Sequence, residues 1–224
     1  VQNGNDGPVE VPLQPATPLT AQPVSQSSDG MARVAMEASF FLFDRATVLS
    51  EKGWYAKAKP IFQECLDIRD QYADGQPALT QAVIAFAENF MLRRKYADAT
   101  LLLRRAKDLR VAEAGGAGKS RDIAYVMYLQ SAQLYHLSRF TKASQMFLET
   151  VKMLVDTMPS GDILIGRAIC LQALNTAAQG KLLEAKAQAE KGYAILAKAC
   201  GTKRVELAEG FVARIRILLL MGKP

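Results

Sequence analysis

The chain has 224 residues, half of them hydrophobic, with 28 Lys and Arg against 22 Asp and Glu, a net charge of +6. That is enough for one ordinary domain or an elongated array, and no apolar run approaches the ~20 residues that a membrane-spanning helix needs. Cys65, Cys170 and Cys200 are odd in number and form no CxxC pair, which argues against a disulfide framework and a cysteine-based zinc site.

Residues 1–30 hold Asp6, Glu10 and Asp29 but no Lys or Arg, and are rich in Pro, Gln, Ser and Gly. Such a segment cannot bury enough apolar surface to offset its ordering entropy, so it reads as a disordered tail or linker ahead of a helical domain over 31–224. That domain carries 28 basic against 19 acidic residues, a surplus that favours acidic partners on encounter. The sequence begins with Val and has no signal peptide, which fits either a removed leader or an excised piece. An exported and a cytoplasmic location are equally open.

From Met31 onward helix formers dominate and β-branched runs are scarce, so the domain reads as all-α. The sequence then repeats itself. GWYAKAKPIFQECLDIRDQY, RKYADATLLLRRAKDLRVAE, SRFTKASQMFLETVKMLVDT and GKLLEAKAQAEKGYAILAKA align on the pairs Tyr55/Ala58, Tyr96/Ala99, Phe140/Ala143 and Leu182/Ala185. A fixed period of this length marks a solenoid. Each unit divides into a first helix, expected near 32–52, 77–94, 120–138 and 162–179, and a second that starts at the aromatic or Leu anchor. The run RVELAEGFVARIRILLLM predicts a ninth helix at the end. Breaks fall at ADGQP, GGAGKS, MPSGD and CGT.

These units resemble tetratricopeptide repeats in the longer form found in the kinesin light chain family. The best match carries Val83, Phe86, Ala87, Phe90, Tyr96, Ala99, Leu103 and Ala106 in the family's core slots. The first unit matches through Leu42, Ala46, Leu49, Gly53, Tyr55, Ala58 and Phe62. Gln130 and Gln172 depart from the pattern where Leu is usual, as do Arg45 and Arg214, whose stems are expected to snorkel outward. The resemblance covers 31–221. It implies a right-handed α-solenoid of four helix pairs plus a C-terminal helix, acting as a non-catalytic scaffold.

Gly118-Lys119-Ser120 looks like the end of a phosphate-binding loop. The Gly required five positions earlier is Glu113, and the preceding segment is helical rather than a strand. The glycines therefore read as an inter-repeat turn, with Ser120 as the N-cap of the next helix. His136 is the only histidine, so a two-His metal motif cannot form within one chain, and no pair of carboxylates has catalytic spacing. The pattern calls for no catalytic residue, metal or cofactor.

In each first helix one apolar stripe is needed to meet the second helix, as Leu42, Ala46 and Leu49 do. A second stripe remains: Phe40, Phe43 and Thr47; Gln81, Ile84, Glu88 and Met91; Tyr125, Tyr128, Ala132 and Tyr135; Arg167, Cys170, Leu174 and Ala177. In the resembled family this stripe lines a concave groove where peptides dock, and tyrosines suit such a wall because each joins an apolar body to a polar tip. The family's Lys/Asn clamp for a terminal carboxylate is not visible. Two other readings stay open. Arg93, Arg94, Lys95, Arg104, Arg105 and Lys107 form a basic cluster that reads first as a solvated convex face and second as a phosphate-binding one. Ile217–Met221 cannot all be hidden by one preceding unit, which suggests self-association or a structural oligomerisation module.

Overall fold

The computed structural model describes residues 25–73, 77–116, 119–200 and 205–222, with the side chains of 25–28, Cys200 and Val205 left aside. Its described residues form nine α-helices: α1 Ser25–Glu51, α2 Tyr55–Tyr72, α3 Pro77–Leu92, α4 Ala99–Glu113, α5 Arg121–His136, α6 Phe140–Thr157, α7 Ile163–Ala178, α8 Leu182–Cys200 and α9 Val205–Leu220. Helices pair as α1 with α2, α3 with α4, α5 with α6 and α7 with α8, and α9 trails against α8 and α7. The result is an all-α solenoid. α1 begins at Ser25, inside the stretch that composition assigned to the tail; residues 1–24 lie outside the described residues.

The turn inside each pair is the same, and the anchor alignment explains it. The residue two before each anchor is Gly53, Arg94, Ser138 or Gly180, and all four have positive φ, between 57° and 81°. The amide of the following residue reaches back to the last turn of the first helix: Trp54 to Leu49 O at 2.8 Å, Lys95 to Phe90 O at 2.8 Å, Arg139 to Leu134 O at 2.9 Å and Lys181 to Thr176 O at 3.3 Å. This is the Schellman closure, which satisfies carbonyls that a helix end otherwise leaves open. In the second unit α4 starts at Ala99, three residues past Tyr96, because 96–98 form a turn first.

Small residues let the paired helices approach. Ala58, Ala99, Ala143 and Ala185, three residues past each anchor, are fully buried, as are Ala46, Ala87, Ser131 and Ala173 on the facing first helices. The units are also tied to one another by a polar contact that recurs three times. Asn89 Nδ2 donates to Tyr55 O at 3.2 Å, Gln133 Nε2 to Tyr96 O at 2.6 Å, and Asn175 Nδ2 to Phe140 O at 3.2 Å. Each amide stands seven residues before its own anchor and satisfies the carbonyl of the preceding one.

Arg69, on α2, is fully buried. Its Nη1 donates to Ala78 O at 2.7 Å and its Nε to Ser39 Oγ at 3.2 Å. The guanidinium lies 5.0 Å from the ring centre of Phe40 and 4.8 Å from that of Phe43. Arg45 is exposed, whereas the half-buried Arg214 turns onto α8, bonding Glu190 at 3.0 Å and covering the Tyr193 ring at 4.4 Å. The glycine-rich turn holds Gly115 and Gly116 at positive φ, and the Ile123 amide donates to Ser120 Oγ at 3.1 Å. The Ser120 hydroxyl therefore serves as the N-cap of α5; residues 117 and 118 lie outside the described residues.

Candidate functional site

The first helices of successive units stand side by side, so residues at one register position line up across the array. A cleft of about 570 Å³ opens on this face. α3 supplies Glu88 and Met91, α5 supplies Tyr125, Tyr128 and Ala132, and α7 supplies Arg167, Cys170 and Leu174. Eight members of the leftover stripe thus share one wall. A second recess of about 440 Å³ continues past Tyr125 and Arg167 to Arg121 and Asp162.

The other members of the stripe are placed differently. Phe40 and Phe43 lie against the Arg69 guanidinium, and Thr47 Oγ1 donates to Phe43 O at 2.9 Å. Ile84 is buried in the core, while Gln81 is exposed. Tyr135 packs its ring edge on His136 and lies 6.1 Å from Phe140. Ala177 is buried beside Ala173 and Ile217.

α9 adds Glu209, Val212 and Ala213 to the wall, three residues that the stripe as read from sequence left out. The signal was available. Extending the 42-residue interval once more puts Glu209 in the series Phe40, Gln81, Tyr125, Arg167, and Val212 in the series Phe43, Ile84, Tyr128, Cys170. Tyr96 and His136 also reach the cleft, stacked face to face with centroids 4.5 Å apart.

The polar groups of the cleft are interlocked. The Tyr125 hydroxyl donates to Glu88 Oε1. Burial raises the Glu88 pKa, opposed by the Tyr125 hydrogen bond and the Arg167 charge. Arg167 holds Glu209 with both ends of its fork, Nε to Oε2 at 2.7 Å and Nη2 to Oε1 at 3.1 Å, and lies 5.7 Å from the Tyr128 ring centre. Burial works against the Arg167 charge, but Tyr128 and Glu209 outweigh it and leave its pKa above the ordinary value. Burial also raises Tyr125 and Tyr128, and pushes the Cys170 thiol up to about 12 with help from Glu209. That thiol is a small core group rather than a nucleophile at neutral pH. Burial, then Arg94 and Arg216, lower the pKa of His136. Among the described residues no group of three or more His, Cys, Asp or Glu could hold a metal ion.

On the opposite side of the array Arg104 is exposed, and Arg105 forms an ion pair with Asp70 of the preceding unit. At the end of the chain Ile217 is fully buried and Leu218 and Met221 half-buried, while Leu219 and Leu220 remain more than 60% exposed. Among the described residues no helix is long and apolar enough to cross a membrane.

No family model and no curated protein matches the chain. Solved structures do. Two crystal structures of the kinesin light chain nearly identical TPR-like repeats of Podosopora anserina align with TM-scores of 0.67 and 0.65, each at 14% identity over 84% of this chain and 88% of the other. BtubC (BKLC) from P. vanneervenii gives 0.64 at 14% identity, over 90% of this chain and 85% of that one. At this identity the likeness is one of fold, a helical-repeat solenoid with TPR-like, kinesin light chain-like units.

Proposed function

We propose that the chain is a non-catalytic scaffold that binds a peptide segment of another protein in the cleft between α3, α5, α7 and α9. One observation carries the reading. Four successive first helices line one opening of about 570 Å³, and three register positions of the stripe each reach it from three of the four helices; the opening is within the size range of ligand sites. Met91, Leu129, Leu171, Leu174 and Val212 give it an apolar lining, and its polar groups include the Tyr125–Glu88 and Arg167–Glu209 pairs. That combination takes apolar side chains of a peptide and leaves fixed donors and acceptors for its backbone. The basic surplus of residues 31–224 favours a segment with acidic flanks.

The test is selection of binders from a random dodecapeptide library on the full chain, followed by titration of the selected peptides. Replacing Tyr125 and Tyr128 together by Ala is expected to weaken them at least tenfold, about 1.4 kcal/mol. Peptides that bind this variant as well as the wild type would remove the cleft from the reading.

A second reading rests on α9. Phe211, Ile215, Leu219 and Leu220 are exposed there, a row that suits self-association through the C-terminal end. Sedimentation of the wild type at high micromolar concentration, compared with Ile215→Glu, separates this from a monomer.

A further inference from the structure

α1 is the least covered of the first helices. Among its described side chains only Ser39 and Ala46 are buried, whereas α3 buries eight residues and α5 nine. Its outward face is nevertheless not polar. Met31, Val34, Ala38, Phe41, Arg45 and Val48 are all exposed, Phe41 by 78%. Their spacing is 3, 4, 3, 4, 3 over about 27 Å of helix. That is the a/d seam of a helix-on-helix contact, with Arg45 at the single polar a position.

The fold shows what this face does elsewhere. Ala38, Phe41 and Val48 lie 17, 14 and 7 residues before their anchor Tyr55. At those positions the second unit has Leu79, Ala82 and Asn89, and the fourth has Ile165, Ala168 and Asn175, all buried. Asn89 and Asn175 bond the start of the preceding unit's second helix. The seam on α1 is therefore the stacking face of the array, and a helix is what covers it in every later unit.

Charge identifies which helix. Along one flank of the seam run Glu37, Asp44 and Glu51, seven residues apart and all exposed. The second unit has Ala78, Ala85 and Leu92 at the same register, and the fourth has Leu164, Leu171 and Ala178, so the acidic row belongs to α1 alone among these three. Two copies of α1 packed antiparallel would set these rows against each other. Packed parallel, each row would meet the line of Leu42 and Leu49, which already packs into the partner's own core. Residues 1–24 have five prolines and no Lys or Arg, and so lack the complementary cations.

We propose that this face of α1 docks an amphipathic helix of a partner protein, one whose apolar stripe is flanked by Lys or Arg. The helix occupies the place that α2 takes on α3, with its cations along Glu37, Asp44 and Glu51.

The experiment uses the full chain and two synthetic four-heptad peptides with Ile at a and Leu at d, one with Lys and one with Glu at e and g. Fluorescence anisotropy is expected to show binding of the Lys peptide only. Phe41→Glu, a change at an exposed site whose effect on folding is checked by circular dichroism, should weaken it at least tenfold. The triple change Glu37→Lys/Asp44→Lys/Glu51→Lys should reverse the preference to the Glu peptide. Equal binding of both peptides, binding of neither, or binding indifferent to Phe41→Glu would overturn the proposal. So would self-association of the wild type that Phe41→Glu abolishes, because a second copy would then own the seam.

Discussion

The Tyr125 hydroxyl on α5 donates to the Glu88 carboxylate on α3, so a hydrogen bond between neighbouring units lies in the wall of the cleft. Burial lifts the Glu88 pKa above its ordinary value of 4.5. A raised folded-state pKa adds stability that is fully present below the unfolded value and is lost as the pH rises through the folded one. Glu88→Gln keeps an acceptor for Tyr125 and removes the titration. Urea denaturation of both proteins at about pH 4 and about pH 8 is therefore expected to show the wild type losing ground to the variant at the higher pH. A constant difference across that range would show that Glu88 does not titrate as its surroundings dictate.

Ser138 holds a φ of 57° in the turn where the first and fourth units use Gly53 and Gly180. A side chain in that region costs roughly 1–2 kcal/mol, part of which glycine returns through its freer unfolded chain. Ser138→Gly is expected to stabilise the protein by about 0.5–1 kcal/mol, read from the midpoint of chemical denaturation.

Gly192 marks the opposite case. A Cβ there would lie 2.6 Å from Cys170 Sγ and 3.0 Å from both the Cys170 nitrogen and the Gly166 carbonyl oxygen. Two of these are backbone atoms of α7 and cannot step aside without moving the helix. Gly192→Ala should destabilise by about 1–3 kcal/mol. A neutral result in thermal denaturation would mean that α7 and α8 can separate cheaply.

Asn175 ties α7 to α6 through Phe140 O and Ser144 Oγ, at 3.2 and 2.8 Å. Asn175→Ala leaves the carbonyl without this donor in a buried place and is expected to cost about 1–3 kcal/mol. Hydrogen exchange should locate the loss at the α6–α7 boundary, with α1–α3 keeping their protection; uniform loss would argue against unit-by-unit coupling.

Much of the fold was legible because its signals are local. The anchor and the Ala three residues after it set the period, turn residues set the breaks, and 3.6-residue spacing set the faces. Ser120 could be read as a cap from its place before an apolar run. Of the two arginines expected to snorkel outward, Arg45 is exposed, whereas Arg214 turns onto Glu190 and Tyr193 of α8. The recurring amides were not read, since nothing in Asn89, Gln133 or Asn175 alone says that a carbonyl 34 to 37 residues away will need a donor.

The candidate site divides along the same line. By itself, the sequence determined that each first helix carries a stripe beyond the one its partner helix uses, because helical periodicity fixes which side chains share a face. Only the tertiary structure decided that Glu88, Tyr125, Tyr128 and Arg167 meet around one cleft while Phe40 and Phe43 are taken up by the buried Arg69. It also brought in Glu209 and Val212 from α9. Those outcomes depend on how units stack on one another, and stacking is set by contacts between residues some forty positions apart.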